Sequence, residues 1–251
     1  MTARWFLHRC IGKSRSMLQG PLCCSQIALQ LLENKDGLEI GGPSEVFRME
    51  RLLPAYSHIQ NLDNCDFSSS TTWAKHSTSF VFDPGKAAGK NIFCDGSNLA
   101  VIPDRSYDFV LSSHNLEHFA NPVKALMEWR RVTRLGGILV LVLPNYRRTF
   151  DHRRKPTPVS HMMADFEANT LETDLSHLPD ILANHDLELD PAAGTLEQFR
   201  ERSVANFENR CLHHHVFDER NARELLTASG MNVLAVETAW PCHIFAIAEM
   251  P

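Results

Sequence analysis

The feature that most constrains the fold is a run of six apolar residues, Ile138-Leu139-Val140-Leu141-Val142-Leu143, introduced by Gly136-Gly137. An apolar run of strand length without polar alternation predicts a strand covered on both faces. A helix-length segment at 121–135 precedes it. Asn121 suits the cap and Pro122 the first turn, while Val123, Leu126, Met127 and Val132 supply an apolar side. The glycine pair reads as the stop of that helix. Before it lies another apolar strand at 107–111. Strand, helix and strand at this spacing make a parallel crossover unit. A parallel sheet needs helices on both faces, so the class is α/β.

The same alternation extends outward. A helix is expected at 22–32 and strands at 37–40, 59–62 and 91–94, each strand ending in a polar or glycine-bearing turn. A last helix at 218–229, stopped by Gly230, leads to strands at 233–236 and 243–248. Residues 146–215 break the pattern. They hold seven of the thirteen histidines and a basic cluster of Arg147, Arg148, Arg153, Arg154 and Lys155, with short helices expected near 161–169 and 196–209. They read as an insertion over one edge of the sheet, a lid within a single domain 1–251 whose core is 22–145 and 216–251.

Composition removes several function classes. No run approaches the ~18 apolar residues of a membrane span. Twenty-five basic residues against thirty acidic ones argue against a general nucleic-acid binder. Seven cysteines without a CxxC pair exclude a zinc ribbon or thioredoxin site, and buried free thiols point to the cytoplasm. The opening, residues 1–20, is basic and lacks an apolar core, which argues against a secretory signal and leaves organelle targeting open.

Candidate ligand contacts fall at strand ends. Gly41 and Gly42 follow Glu39 at the end of the first strand, where glycines let a ligand approach the backbone. A helix-like stretch from Ser44 would favour a negative group, although the GxGxxG fingerprint is missing. Asp63, 24 residues after Glu39, is placed to accept from both hydroxyls of a ribose, with Asp66 as its competitor. Asp95 and Gly96 end the third strand, where a carboxylate can meet an exocyclic amine and a bare backbone a flat base. Each of these signals also fits an ordinary turn.

The stretch Ile102-Pro103-Asp104-Arg105-Ser106-Tyr107-Asp108-Phe109-Val110 continues through Leu111-Ser112-Ser113-His114-Asn115-Leu116-Glu117-His118. Then come Ala120-Asn121-Pro122, Glu128-Trp129-Arg130-Arg131-Val132 and Leu135-Gly136-Gly137 before the apolar strand. This wording closely resembles the class I S-adenosylmethionine-dependent methyltransferases, in particular the type 11 group. Leu135 stands where the family has proline, and Gly-Gly-Pro-Ser at 41–44 replaces Gly-x-Gly-x-Gly. The resemblance covers 37–145 and resumes over 215–230.

The resemblance implies a Rossmann-like, doubly wound, mostly parallel sheet of seven strands with a helical insertion after the fifth. It implies S-adenosyl-L-methionine as cofactor. Glu39, Gly41 and Gly42 would meet its methionine part, Asp63 the ribose, and Asp95 with Gly96 the adenine. Ser112 and His114, with Ser113, would border the sulfonium. The insertion would enclose a small-molecule acceptor, a hydroxyl on a sugar or other metabolite. Methyl transfer is a direct displacement, and a hydroxyl nucleophile is helped by a base. His118 is the expected base because its loop follows the fourth strand directly. His114, His152 and the triplet His213-His214-His215 are the alternatives, and at most two of the triplet can face one site. A catalytically silent cofactor-binding module is the competing function. The missing GxGxxG disfavours a nucleotide-dependent oxidoreductase. Asp151, His152, His161, His177, Asp180, His185 and Asp186 are ligand types for a metal, but no HxxxH pair spaces them on one helix face, so no metal is expected.

Overall fold

In the computed structural model, which describes residues 20–50, 52–72, 75 and 77–251, eight strands form one sheet. They are β1 (Asp36–Ile40), β2 (Asn61–Asp66), β3 (Ser79–Phe80) and β4 (Gly89–Phe93), then β5 (Tyr107–Ser113), β6 (Thr133–Pro144), β7 (Asn232–Ala239) and β8 (His243–Met250). Their order is β3-β4-β2-β1-β5-β6-β8-β7. Pairing is parallel from β4 through β6, while β8 runs antiparallel to both β6 and β7. Seven of these are the expected strands. The eighth, β3, is a two-residue edge strand antiparallel to β4, too short to leave a hydrophobic pattern in the sequence. The expected chain opening lies outside the described residues except for Gly20, and so does Cys10. The six described cysteines are free, and Cys23 among them is exposed.

β6 shows why both faces are dry. Leu139, Leu141 and Leu143 pack with Leu126 and Trp129 of α3 (Pro122–Val132) and with Leu225 of α8 (Glu219–Ala228). Ile138, Val140 and Val142 pack on the opposite side with Ala28 and Leu32 of α1 (Cys23–Leu32). Alternate residues of one strand thus enter two separate cores. The helix ends follow local chemistry. Asn121 accepts from the Lys124 amide at 2.9 Å, and Asp218 caps α8 in a reciprocal box with Asn221.

Three expected boundaries are corrected. The second strand spans Asn61–Asp66, later than 59–62, because its polar residues face neighbouring strands: Asn64 donates to Asn91 at 2.8 Å. The helix after β1 shrinks to a three-residue turn at Glu45–Phe47, followed by the four-residue α2 (Ala55–His58), because Glu39 captures the Ser44 amide and hydroxyl. No helix N-terminus long enough to attract an anion is left there. Gly136-Gly137 does not stop α3, which ends at Val132. The pair lies in β6 where its register with β5 jumps from Tyr107/Thr133 to Phe109/Ile138, and Gly136 takes φ +73°.

Residues 146–215 cover the C-terminal ends of the strands, whereas the sequence placed them over an edge. Their helices are α4 (Val159–Glu167), α5 (Leu178–Asn184), α6 (Leu196–Val204) and α7 (Asn206–Asn209). A small cluster of Ile181, Ala193, Phe199 and Leu212 gives them an apolar centre of their own. Buried Arg154 ties the segment together through Asp151 at 3.0 Å, Asp180 at 2.9 Å and the His213 carbonyl at 2.8 Å. Among the described residues no helix is long and apolar enough to cross a membrane.

Candidate active site

The strand order reverses between β1 and β5, which is where an open α/β sheet leaves a crevice. A cavity of about 950 Å³ opens there. Its floor is built from strand ends, with Gly41 and Gly42 after β1 and Asp66 closing β2. Asp95 and Gly96 follow β4, and His114 follows β5. Phe150, Arg210 and His213 of the insertion face them.

The glycine pair is demanded by the chain's own packing. Gly41 has φ +77°, and a Cβ there would strike the Asn115 amide, which donates to the Ile40 carbonyl at 2.9 Å. A Cβ on Gly42 would overlap the Glu39 carboxyl. Glu39 itself does not line the cavity. Its buried carboxylate accepts from the Ser44 hydroxyl at 2.6 Å, the Ser44 amide at 3.1 Å and the Tyr56 hydroxyl at 2.6 Å. Burial nonetheless raises its pKa to about 7. Glu39 therefore braces the glycine turn from behind.

The structure also moves the second carboxylate. Asp63 sits inside β2, accepting from the Lys90 amide at 2.8 Å and the Tyr107 hydroxyl at 2.9 Å, away from the cavity. Asp66, the competitor, reaches it because β2 runs on to that residue. Asp95 lines the cavity, with Oδ1 accepting from Ser97 and Oδ2 3.1 Å from Arg210. The Gly96 carbonyl accepts from the Trp129 indole at 2.9 Å. Ser112 is fully buried and off the cavity, its hydroxyl without a partner. His114 does line it, at the left-handed φ of +50°, with Nε2 2.8 Å from Nδ1 of His243. Burial holds its pKa well below the usual histidine range.

Beyond the β5 end, Glu117, His118 and His213 meet in the cavity wall. Among the described residues neither oxygen of the buried Glu117 has a hydrogen-bond partner, and burial raises its pKa to about 7. His118 donates from Nδ1 to the Leu212 carbonyl at 3.1 Å and packs edge-on against the His213 ring at 4.6 Å. Burial pushes the His118 pKa far down. His213 places Nδ1 2.6 Å from Oδ2 of Asp151 and Nε2 4.0 Å from Glu117. Burial works to raise the Asp151 pKa, but His213 and Arg154 outweigh it and hold it at about 2.

Of the alternatives to His118, only His114 and His213 line the cavity. His152 pairs with Asp186 at 2.8 Å, and His214 with Asn206 at 3.1 Å. Glu117 and the role of Asp151 were not singled out for this site by the sequence. An acidic residue inside the strand-end loop was the only signal for Glu117, and none existed for the Asp151 contact.

Among the described residues four groups bring metal-ligating atoms within 4.8 Å of one another where no metal was expected: Glu117 with His118 and His213, the four-membered set of His161, Asp165, His177 and His215, and two triads, His114 with Cys242 and His243 and Asp174 with His177 and His214. The four-membered set uses His-x-x-x-Asp spacing on α4, which the absence of HxxxH did not address.

Residues 61–141 match the family model described as Methyltransferase domain, the type 11 model, a narrower span than the resemblance read from the sequence. No curated protein matches the chain. An S-adenosylmethionine-dependent methyltransferase from Mesorhizobium loti is 13% identical with a TM-score of 0.51, over 90% of this chain and 98% of that one. It is similar in fold. One from Aquifex aeolicus is also 13% identical, over 96% and 98% of the two chains, with a TM-score of 0.49.

Proposed function

The chain carries a type 11 methyltransferase domain and is an S-adenosylmethionine-dependent methyltransferase of class I, and we propose that it methylates a hydroxyl group of a small molecule enclosed beneath the insertion. The cavity suits that cofactor. Carboxylates of Asp66 and Asp95 lie at successive strand ends, beside bare backbone at Gly41, Gly42 and Gly96, and the volume leaves room for an acceptor. In this reading Asp66 takes the ribose hydroxyls, Asp95 and Gly96 the adenine, and Gly41, Gly42 and His114 the methionine end. When bound, the cofactor supplies a methyl group activated by its sulfonium.

The remaining work belongs to the chain. His213 accepts the acceptor's hydroxyl proton at Nε2, while Asp151 holds Nδ1–H and stabilises the imidazolium. Glu117 offers its unpartnered oxygens to a hydroxyl of the acceptor. His118 becomes a positioning residue against the His213 ring, because burial makes it the weaker base. The insertion excludes water and brings the acceptor to the ~3–3.5 Å in-line approach that displacement needs.

The observation that carries this reading is the Asp151–His213 pair in the wall beside an unpartnered buried carboxylate. The test is transfer of labelled methyl from S-adenosylmethionine to a fractionated small-molecule extract, followed by identification of the labelled atom. Label on oxygen supports the proposal. Label on nitrogen or carbon overturns the hydroxyl assignment, and binding without transfer to any fraction favours the silent module.

A further inference from the structure

We propose that His161, Asp165, His177 and His215 bind one zinc ion that ties α4, the start of α5 and the last residue of the insertion to one another. His161 and Asp165 lie one turn apart on α4, so both side chains leave the same helix face. His177 directly precedes α5. His215 ends the insertion, where the chain returns to the core. Three parts of the chain thus converge at one point.

The distances suit a tetrahedral centre. Nε2 of His161 lies 3.1 Å from Nε2 of His177 and 3.5 Å from Oδ2 of Asp165. Nε2 of His215 lies 3.7 Å from the same oxygen, and all four ligand atoms are within 4.8 Å of one another. Zinc bonds of 2.0–2.2 Å in a tetrahedron give ligand separations of roughly 3.3–3.6 Å.

The site is poorly satisfied by protein alone. Oδ2 of Asp165 is buried and receives no hydrogen bond from the described residues. The two imidazole nitrogens of His161 and His177 face each other, and at most one hydrogen can lie between them if both rings are neutral. Nε2 of the buried His215 makes a long hydrogen bond of 3.4 Å to the Ala120 carbonyl. A cation would use all four lone pairs at once.

Supporting contacts point the ligands inward. The Thr170 hydroxyl donates to Oδ1 of Asp165 at 3.3 Å, leaving Oδ2 for the centre, and Asn121 of the α3 cap donates to the Asp165 carbonyl at 3.0 Å. The His161 side chain is 44% exposed, which leaves a path for the ion. Three imidazoles and one carboxylate favour zinc over magnesium or calcium, and four protein ligands close the shell, so the role is structural. This inference does not depend on the acceptor or on the base assigned above.

The full chain is purified without an affinity tag that binds metal, dialysed, and its zinc counted by elemental analysis. We expect about one equivalent bound at this site, lost in Asp165→Asn and in His177→Ala and retained in Glu117→Gln. A strong chelator should lower the melting temperature of the wild type, and one equivalent of zinc should restore it. Cobalt loading should give the visible bands of a tetrahedral site, absent in Asp165→Asn. The proposal is overturned if dialysed wild type binds no zinc and is indifferent to chelator, or if folded Asp165→Asn holds as much zinc as wild type. The wild-type chelator measurement decides the matter even where a variant fails to fold.

Discussion

Oδ2 of Asp151 lies 2.6 Å from Nδ1 of His213, joining the two ends of an insertion across 62 residues of sequence. Asp151 also holds Arg154 at 3.0 Å, so one buried carboxylate both ties the lid together and orients the ring that faces the cavity. Replacing His213 with Gln keeps a polar side chain but removes the imidazole proposed as base. Turnover should fall by about 10²–10³-fold while cofactor affinity stays near wild type. Steady-state kinetics paired with calorimetric titration of S-adenosylmethionine checks this. Less than fivefold loss would leave positioning as the whole of catalysis.

The two aspartates of β2 should separate cleanly. Asp66→Ala should weaken cofactor binding by about 1.5–3 kcal/mol, the scale of hydrogen bonds to a charged group. Asp63→Ala should leave affinity unchanged and lower the melting temperature, because it strips partners from the Lys90 amide and the Tyr107 hydroxyl. Reversed results would return the ribose to Asp63.

Trp129 supports the cavity wall at Gly96 from within the core, its indole donating to the Gly96 carbonyl. Trp129→Phe keeps most of the buried ring and loses that bond. It should cost about 1–3 kcal/mol of stability and weaken S-adenosylmethionine in the same preparation. Denaturant unfolding together with a binding isotherm reads both, and unchanged affinity would detach Trp129 from the site.

Burial keeps the His114–His243 pair neutral: the His243 pKa is pushed down to about 4, and that of His114 well below its ordinary value. Below the unfolded value near 6.5 the unfolded chain therefore binds more protons than the native one. This pair's contribution is complete above that pH and is lost as pH falls toward 4. The melting temperature should drop between pH 7 and pH 5. His243→Gln, which keeps a hydrogen-bonding group and cannot take up a proton, should show a smaller drop over the same window. An equal drop in both proteins would assign the acid sensitivity to other groups.

Hydrophobic pattern made the core legible. An apolar run such as 138–143 must be buried on both faces whatever surrounds it, and the capped helix before it can close only a parallel crossover. Gly41 and Gly42 were readable as a turn after β1, but the Asn115 amide and the Glu39 carboxyl that leave no room for a side chain there were not. Glu39 shows where that legibility ends. Its position at a strand end suggested a ligand contact, yet a carboxylate turned behind the turn and one turned into the cavity have the same local sequence.

The sequence by itself determined the α/β class and seven of the eight strands, because periodicity and turn chemistry act over a few residues at a time, while the doubly wound order and its crevice were expected only from the family resemblance. Tertiary structure decided which side chains share the crevice. Asp66 replaces Asp63 because β2 runs several residues past its apolar segment, and His213 meets Asp151 because buried Arg154 gathers distant carbonyls and carboxylates around itself. Residues 146–215 carry few apolar repeats, so beyond the small cluster around Ile181 and Phe199 their arrangement is set by pairings between charged and polar groups far apart in sequence. Such pairings leave no period to read, and they settle only once the core has brought their ends together.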